Sequence, residues 1–270
     1  MKVALFVPCF VDQLFPEAGL AALEVLRVLG FAPRISGCHC CGQALSNAGD
    51  GPGAAALLRA FEAGHPSSET VVVLSASCTE HLAHELDLEA KSLRVLEFCE
   101  FLARFGPERY EVGVPKTLLL HQSCSALRGT GTAAATRDLL GRIPGLVVLE
   151  PPAAEGECCG FGGSFATTFP ELSGAMGRDR LTLLLATAKG DTHSSWGSPG
   201  PPGTAKGDSH SSPGSPPAGG PDPGGAGGAA RDLDGLVSAD LSCLMHLGSL
   251  RTYPGWPLLH PAQILREALR

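Results

Sequence analysis

Cys40-Cys41-Gly42 recurs as Cys158-Cys159-Gly160, and this repetition decides how the chain is organised. A single cysteine precedes each tripeptide, Cys9 by 30 intervening residues and Cys124 by 33. A Ser-Cys pair follows each tripeptide, and 36 residues separate its cysteine from Cys41 in the first copy, against 83 from Cys159 in the second. Most of this difference is a Gly- and Pro-rich stretch of 41 residues at 190–230. The chain therefore contains one cysteine pattern twice, with an insertion in the second copy.

Short apolar runs alternate with segments of helical periodicity in both copies. The runs at 3–7, 71–74, 117–120 and 146–149 predict strands, and 236–239 and 257–259 are shorter apolar segments of the same kind. Helices are predicted at 16–29, 54–63, 79–86, 98–105, 133–140, 171–188 and 261–269. This alternation is typical of α/β proteins with mostly parallel sheets covered on both faces. We expect two pseudo-repeated Rossmann-like half-domains, residues 1–112 and residues 113–189 together with 231–270.

The insertion at 190–230 has a composition unlike the rest of the chain. It holds 12 glycines and 8 prolines, and the string KGDTHSS at 189–195 recurs as KGDSHSS at 206–212. Such a segment has almost no apolar surface to bury, so we expect it to be disordered. It is either a tolerated surface insertion or repeat sequence carried into the reading frame.

Composition and charge exclude several classes of protein. The net charge of −7 and the absence of a basic block argue against a nucleic-acid binder. No apolar run approaches the ~20 residues of a membrane span, and the N-terminus lacks the features of a signal peptide. A cytoplasmic location, and hence reduced thiols, is the expectation.

Ten cysteines in a reducing compartment have several possible roles. Structural disulfides are disfavoured, and buried inert thiols account for Cys38 and Cys99 but not for cysteines in duplicated register. Zinc suits four thiolates, although the short Cys-x-x-Cys knuckles of zinc ribbons are absent. Iron–sulfur ligation fits best, because loops at the carboxyl edge of a parallel sheet can bring four thiolates to one point in each half.

Polar neighbours of these cysteines are candidates for tuning such a site. His81 and His246 each follow the last cysteine of a half by three residues, and His121 precedes Cys124. They are either packed side chains or groups that donate to a cluster or carry protons. Backbone N–H groups at Gly42, Gly160, Gly162 and Gly163 are candidate donors to sulfur, and Gln43 and Ser123 are candidate polar neighbours.

Five strings carry a resemblance to a known family: VPCFVDQLFP (7–16), CCGQALSNAG (40–49), CCGFGGSF (158–165), FPELSGAM (169–176) and SADLSCLMH (238–246). With these motifs the chain resembles the cysteine-rich (CCG) domain family. The resemblance is nearest to its lactate-utilization branch, and the heterodisulfide reductase B subunit and the glycolate oxidase iron–sulfur subunit are related members. It covers nearly the whole chain apart from the insertion.

The resemblance implies an iron–sulfur cluster in each half, of the four-iron type. Carried over by position, the ligands are Cys9, Cys40, Cys41, Cys78, Cys124, Cys158, Cys159 and Cys243. The full motif of the heterodisulfide reductase branch ends in Cys-x-x-Cys, whereas His81 and His246 stand at that last position here, which favours a simple four-thiolate cluster. Cys38 also departs from the family pattern and is a competing ligand, while Cys99 matches no family ligand.

The function implied is that of one subunit in a three-component system that oxidises L-lactate to pyruvate. The other components are a ferredoxin-like iron–sulfur subunit and a smaller third subunit. The chain has no Gly-x-Gly-x-x-Gly fingerprint, so we expect an oxidoreductase component that passes single electrons and is active only with its partners. Two alternatives stay open: a glycolate oxidase or heterodisulfide reductase-like subunit, and a zinc-stabilised scaffold without enzymatic activity.

The insertion generates a first prediction. Deletion of residues 190–230 is expected to leave the thermal unfolding midpoint and the metal content nearly unchanged, because this segment contributes little to the core. Differential scanning fluorimetry with metal analysis measures both quantities. Loss of solubility on deletion contradicts the prediction.

Overall fold

Two parallel sheets with the same strand order form the framework of the protein. A computed structural model describes residues 1–38, 40–66, 69–152, 157–190, 194–196 and 232–270. The first sheet has the order β2-β1-β3-β4 and is parallel throughout. Its strands are β1 (Lys2–Phe6), β2 (Ala32–Ile35), β3 (Thr70–Val73) and β4 (Arg94–Glu97).

The second sheet repeats this order as β6-β5-β8-β9 and adds β7 at its edge. Its strands are β5 (Thr117–Leu120), β6 (Val147–Glu150), β7 (Ser194–Trp196), β8 (Gly235–Val237) and β9 (Leu258–Leu259). The four shared strands are parallel, and β7 alone pairs antiparallel, with β6. Duplication of the cysteine pattern is thus accompanied by duplication of the sheet.

Helices cover the sheets and join the two halves. They are α1 (Cys9–Leu14), α2 (Pro16–Val28), α3 (Gln43–Asn47), α4 (Gly51–Gly64), α5 (Ala76–Glu85), α6 (Phe98–Phe105), α7 (Ala133–Gly141), α8 (Ser164–Thr168), α9 (Pro170–Lys189), α10 (Leu241–Gly248) and α11 (Pro261–Glu267). A π-helical turn, Ser125–Gly129, precedes α7. The C-terminal α11 packs on α2 of the first half, and α6 packs on α7 of the second.

One hydrophobic core runs through both halves. It contains Leu26 of α2, Leu119 of β5 and Ile264 of α11, each of which is fully buried. A smaller apolar cluster lies within the first half and includes Phe6, Phe61 and Cys41. Because β1, β3 and β5 are central and buried on both faces, their sequences are nearly continuous apolar runs without polar alternation.

The predicted α/β class and mostly parallel sheets are confirmed, and the structure corrects several local boundaries. The helix predicted from Thr79 begins at Ala76, because Ser75 caps its N-terminus, so Cys78 lies in the first helical turn. Cys243, expected in a loop at the sheet edge, likewise lies in a helix, α10. Several short elements were not predicted from the sequence, namely β2, β4, β7, α1, α3, α8, α10 and the π-helical turn.

Most of the 190–230 insertion lies outside the described residues, and so does its predicted disorder. Ser194–Trp196 is the exception, because its backbone forms β7 beside β6. The structure gives these three residues an extended backbone, and the disorder of the segment as a whole stays a prediction. The proposed domain boundaries stay a prediction.

The central strand of the second half provides a test of the core. Leu119→Ala removes a fully buried side chain from β5 and is expected to lower the free energy of unfolding by about 2–5 kcal/mol. Val28→Ala on α2 is the control, because that side chain is 57% exposed and its loss is expected to cost less than about 0.5 kcal/mol. Urea denaturation measures both variants, and equal losses would contradict the assignment of the core.

Candidate metal centres

Each of the eight cysteines in duplicated register lies just beyond the carboxyl end of a strand. In the first half they follow β1, β2 and β3, which are neighbours in the sheet, and in the second half they follow β5, β6 and β8. The carboxyl ends of parallel strands lie at one edge, where ligands bind in such folds. The topology therefore brings two sets of four thiols to equivalent places.

The first set consists of two thiol pairs. Cys41 Sγ and Cys78 Sγ lie 3.2 Å apart, and Cys9 pairs with Cys40 by a thiol hydrogen bond. The hydrogen bond from Cys9 lowers the pKa of Cys40 to about 6, helped by the N–H of Gly42 and opposed by burial. Cys40 is therefore largely a thiolate at neutral pH, which is the form that binds metals.

The buried pair of the first set follows the same rule. The hydrogen bond with Cys78 lowers the pKa of Cys41, and the same bond, together with burial, raises the pKa of Cys78. Each of the two pairs in the first set thus combines a thiol of lowered pKa with a thiol of raised pKa. Metal binding would displace the remaining thiol protons, so we expect the affinity to rise with pH.

The second set forms a continuous chain of thiol contacts. Cys124 contacts Cys158, Cys158 contacts its neighbour Cys159, and Cys159 contacts Cys243. The N–H of Gly160 donates to Cys158 Sγ at 3.4 Å. The hydrogen bond from Cys159 lowers the pKa of Cys243, but burial and the charge of Asp240 outweigh it, so the net pKa is raised.

The backbone conformation explains why each Cys-Cys-Gly tripeptide ends in glycine. Gly42 and Gly160 have φ angles of +91° and +85°, a region that L side chains rarely adopt. A Cβ at Gly160 would lie 2.6 Å from the carbonyl oxygen of Ser173 on α9. At these positions the backbone therefore turns sharply and places each N–H beside the sulfur two residues earlier.

The three candidate histidines occupy different environments. His246 Nε2 lies 3.3 Å from Ser173 Oγ and 3.2 Å from Ser173 O, and its ring packs against Phe161. His81 is buried in α5, where burial lowers its pKa, and its Nε2 has no hydrogen-bond partner among the described residues. Neither histidine is among the groups that the described structure gathers around the thiols.

His121 is the histidine that the fold brings to a thiol set. It is fully buried, and one of its ring nitrogens lies within 4.8 Å of the sulfurs of Cys159 and Cys243. Its Nδ1 accepts a hydrogen bond of 3.1 Å from Nε of the buried Arg180. Burial, and then the charge of Arg180, lower the pKa of His121 well below its ordinary value. Arg180 was not singled out from the sequence.

The remaining candidates are placed as follows. Gln43 Nε2 donates to the carbonyl of Ser77 at 3.2 Å, next to Cys78. Cys38 is buried beside the first set, with its Sγ 3.5 Å from the carbonyl oxygen of Cys40. Cys99 lies apart from both sets, on α6 within the hydrophobic core. Burial raises its pKa, and Thr136 hydrogen-bonds to it.

Asp240, which was not singled out from the sequence, joins the two thiol sets. Its Oδ1 accepts from Ser75 Oγ at 2.7 Å, from Ser77 N at 3.1 Å and from Ser77 Oγ at 3.0 Å, and its Oδ2 accepts from Ser123 Oγ. Only 1% of Asp240 is exposed. Buried polar groups need hydrogen-bond partners, and four donors satisfy this carboxyl group.

The donors to Asp240 begin the segments that carry the thiols. Ser75 caps α5 by accepting from Cys78 N, and Ser123 accepts from Ala126 N at the start of the π-helical turn after Cys124. Asp240 itself is the N-cap residue of α10, which carries Cys243. One carboxylate thus holds the first turns of three thiol-bearing segments from both halves. A sequence signal for these caps exists, because Ser75 and Asp240 each stand three residues before the last cysteine of a half.

A second buried carboxyl belongs to Glu97, the N-cap residue of α6. Its Oε2 accepts from Cys99 N and Glu100 N, and its Oε1 has no hydrogen-bond partner among the described residues. Burial raises its pKa to about 8, against two lowering backbone hydrogen bonds. His260 is the corresponding N-cap residue of α11, and burial lowers its pKa to about 3. Both groups are therefore mainly neutral at pH 7.

A duplicated α/β framework with four clustered thiols at the carboxyl edge of each sheet defines a cysteine-rich protein, and thiolates are ligands of zinc and of iron–sulfur clusters. The family model for the cysteine-rich domain, CCG, matches residues 3–83 and 118–192, one match in each half. The chain belongs to this family.

Curated relatives extend this comparison. The chain is 31% identical to lactate utilization protein A 2 of Bacillus cereus (strain Q1), over 100% of its own length and 99% of that protein. It is 30% identical, with the same coverage, to lactate utilization protein A 1 of Bacillus anthracis. It is 29% identical to the fumarate reductase (CoM/CoB) B subunit of Methanothermobacter marburgensis, over 68% of the chain and 37% of that longer protein.

Across the residues that the structure describes, no helix combines the length and apolarity that crossing a membrane requires.

Asp240 provides a test of how the halves are joined. Asp240→Ala leaves several buried donors without an acceptor and is expected to lower the free energy of unfolding by about 2–4 kcal/mol. Asp240→Asn keeps one acceptor oxygen and is expected to lose less. Asp138→Ala, which breaks an exposed ion pair with Arg142, is the control and is expected to cost about 0–1 kcal/mol. Urea denaturation that ranks Asp240→Ala with the control would contradict the role of Asp240.

Glu97 predicts a pH dependence of stability. Its pKa in the folded protein is about 8 against 4.5 for a free carboxyl, so the folded state retains a proton that the unfolded state releases. Its contribution to stability is complete below pH 4.5 and is lost as the pH rises through about 8. Glu97→Gln is expected to flatten this decline, whereas the exposed control Glu89→Gln leaves it unchanged. Urea denaturation at several pH values between these limits measures the slopes, and parallel profiles for Glu97→Gln and the unmodified protein would contradict the prediction.

Proposed function

We propose that this protein is an iron–sulfur electron-transfer subunit of a complex that oxidises L-lactate to pyruvate. The observation that carries the proposal is the pair of four-thiol sets at equivalent edges of two equivalent sheets. Full-length similarity to proteins named for lactate utilization supports the choice of substrate. Neither feature is expected of a scaffold that only binds a partner.

The donor set fits an iron–sulfur cluster. Each set offers soft sulfur ligands, the pKa of Cys40 in the first set is lowered to about 6, and the N–H groups of Gly42 and Gly160 point at sulfur. Thiolates hold clusters, and hydrogen bonds to sulfur tune their potentials. The proposed ligands are Cys9, Cys40, Cys41 and Cys78 in the first half and Cys124, Cys158, Cys159 and Cys243 in the second.

Clusters bound there would supply one chemical property, the ability to accept and release single electrons. The chain supplies the rest. Burial of Cys41, Cys159 and Cys243 keeps water from the inner side of each set, while Cys9 is exposed and marks the side open to solvent. Asp240 holds three thiol-bearing segments in place through Ser75, Ser77 and Ser123.

Lactate oxidation requires a partner in this proposal. Conversion of lactate to pyruvate removes a hydride equivalent, and the sequence contains no dinucleotide fingerprint to receive it. The protein therefore passes electrons between a partner's redox centre and an acceptor. We propose a ferredoxin-like iron–sulfur subunit and a third small subunit as the partners, on the basis of the family resemblance.

A second candidate is a subunit of a glycolate oxidase or of a reductase of the heterodisulfide type. Similarity to a fumarate reductase B subunit over 68% of the chain favours it. Direct binding of a substrate sulfur requires an iron with an open position, and four cysteines in each set leave none when all four bind. Addition of thiols to the reduced protein separates the two, since only an open iron changes its electron paramagnetic resonance (EPR) spectrum.

The metal itself is the first test of the proposed function. Anaerobically purified protein is expected to be brown, with broad visible absorbance and with iron and acid-labile sulfide in equal amounts. Colourless protein with stoichiometric zinc and no sulfide would reject electron transfer and leave the scaffold.

Substitution of single cysteines tests the assignment of the two sets. Cys41→Ser and Cys159→Ser are each expected to lose about half of the bound iron, because each removes a ligand from one set only. Cys99→Ala is the matched control, since this thiol is equally buried but lies outside both sets, and its iron content is expected to be unchanged. Iron analysis that ranks Cys99→Ala with the ligand variants would contradict the assignment.

A further inference from the structure

The two thiol sets have different electrostatic surroundings. Beside the second set, Arg180 is only 2% exposed and donates from its Nε to His121 Nδ1, and His121 in turn lies within 4.8 Å of Cys159 and Cys243. A guanidinium carries its charge at every accessible pH, and at this depth the charge is only weakly screened by solvent. The thiols Cys159 and Cys243 are among the groups that interact with it electrostatically.

The first set has apolar residues in the matching places. His121 is the first residue after β5, and the first residue after β1 is Val7. Arg180 is buried on α9, whereas the buried residues of the matching helix α4 are Ala54 and Phe61, which carry no charge. Phe61 belongs to the same apolar cluster as Cys41. The buried Arg–His pair is therefore a property of the second half.

Other charged groups do not remove this difference. Asp240 faces both sets, since its charge acts on Cys78 and on Cys243. Glu150 and Glu157 act on Arg180, but Glu150 also accepts two hydrogen bonds of 2.7 Å from Arg137. Arg128 adds a further positive charge near Cys124. Among the described residues, the positive groups close to thiols thus lie on the side of the second set.

We propose that Arg180, positioned by His121, makes the second thiol set the more easily reduced of the two sites. This inference rests on the proposed function. A single electron shared by the two clusters then resides on the cluster of the second half, and the cluster of the first half is oxidised. A reduced cluster carries additional negative charge, which a nearby buried cation stabilises. Electrons are therefore expected to pass from the cluster of the first half to the cluster of the second.

The test is a redox titration of the purified protein with dithionite, followed by EPR. Arg180→Gln is expected to lower the reduction equilibrium constant of the second cluster about tenfold, which is about 59 mV for one electron, and to leave the first cluster unchanged. Arg180→Lys keeps the charge and is expected to restore most of the potential. Arg142→Gln is the control, because this arginine is in the same half but donates to carbonyl groups of Leu102, Ala103 and Pro107.

Assignment of the signals uses Cys9→Ser, which alters an exposed ligand and so identifies the cluster of the first half. In the unmodified protein, the signal that develops first is expected to be the one that this variant leaves intact. If Arg180→Gln does not fold, this order of reduction still decides the question. Reduction of the first-half cluster first, or an equal shift of both clusters in Arg180→Gln, would overturn the proposal.

Failure of the proposed function gives a different result. Protein without iron or sulfide refutes electron transfer itself. Protein that holds both clusters but reduces the first-half cluster first refutes only the proposal about Arg180, so the two failures are distinguishable.

Discussion

The carboxylate of Asp240 is the interaction on which both thiol sets depend. It accepts hydrogen bonds from the side chains of Ser75 and Ser77 in the first half and of Ser123 in the second. A buried anion is costly unless donors surround it, so the two halves must come together before it is satisfied. Asp240 thereby links the docking of the halves to the placement of Cys78, Cys124 and Cys243. The same hydrogen bonds therefore stabilise the interface between the halves and fix the geometry of the thiol sites.

Parallel sheets explain why one solution serves twice. Each half uses three adjacent strands whose carboxyl ends deliver four thiols, and helices cover the apolar faces. Within this symmetric framework, a few residues that differ between the halves give the two thiol sets different electrostatic surroundings. Val7 follows β1 where His121 follows β5, and Phe61 packs in one apolar cluster with Cys41, whereas Arg180 places a buried cation by the second set. Duplication gives two sites, and the differences between the copies determine which of the two is proposed to be reduced first.

The repeated elements can be predicted from the sequence, whereas features that depend on proximity cannot. Phe98–Phe105 and Thr117–Leu120 were predicted to the residue, because amphipathic or apolar runs mark them. The strand Ala32–Ile35 was missed, since Pro33 and Arg34 mask its signal. Asp240 and Arg180 are ordinary polar residues in the sequence, and only the folded chain brings them to the thiols. The pairing of β7 with β6 likewise depends on tertiary structure.

X-ray absorption at the iron and zinc edges tests the central claim, two thiolate-bound iron–sulfur sites, most directly. The account predicts iron in a shell of sulfur ligands with iron–iron scattering beyond it, at a level that requires clusters in both halves. Zinc in a shell of four sulfurs, with no iron above background, would contradict the account and identify the thiol sets as structural sites.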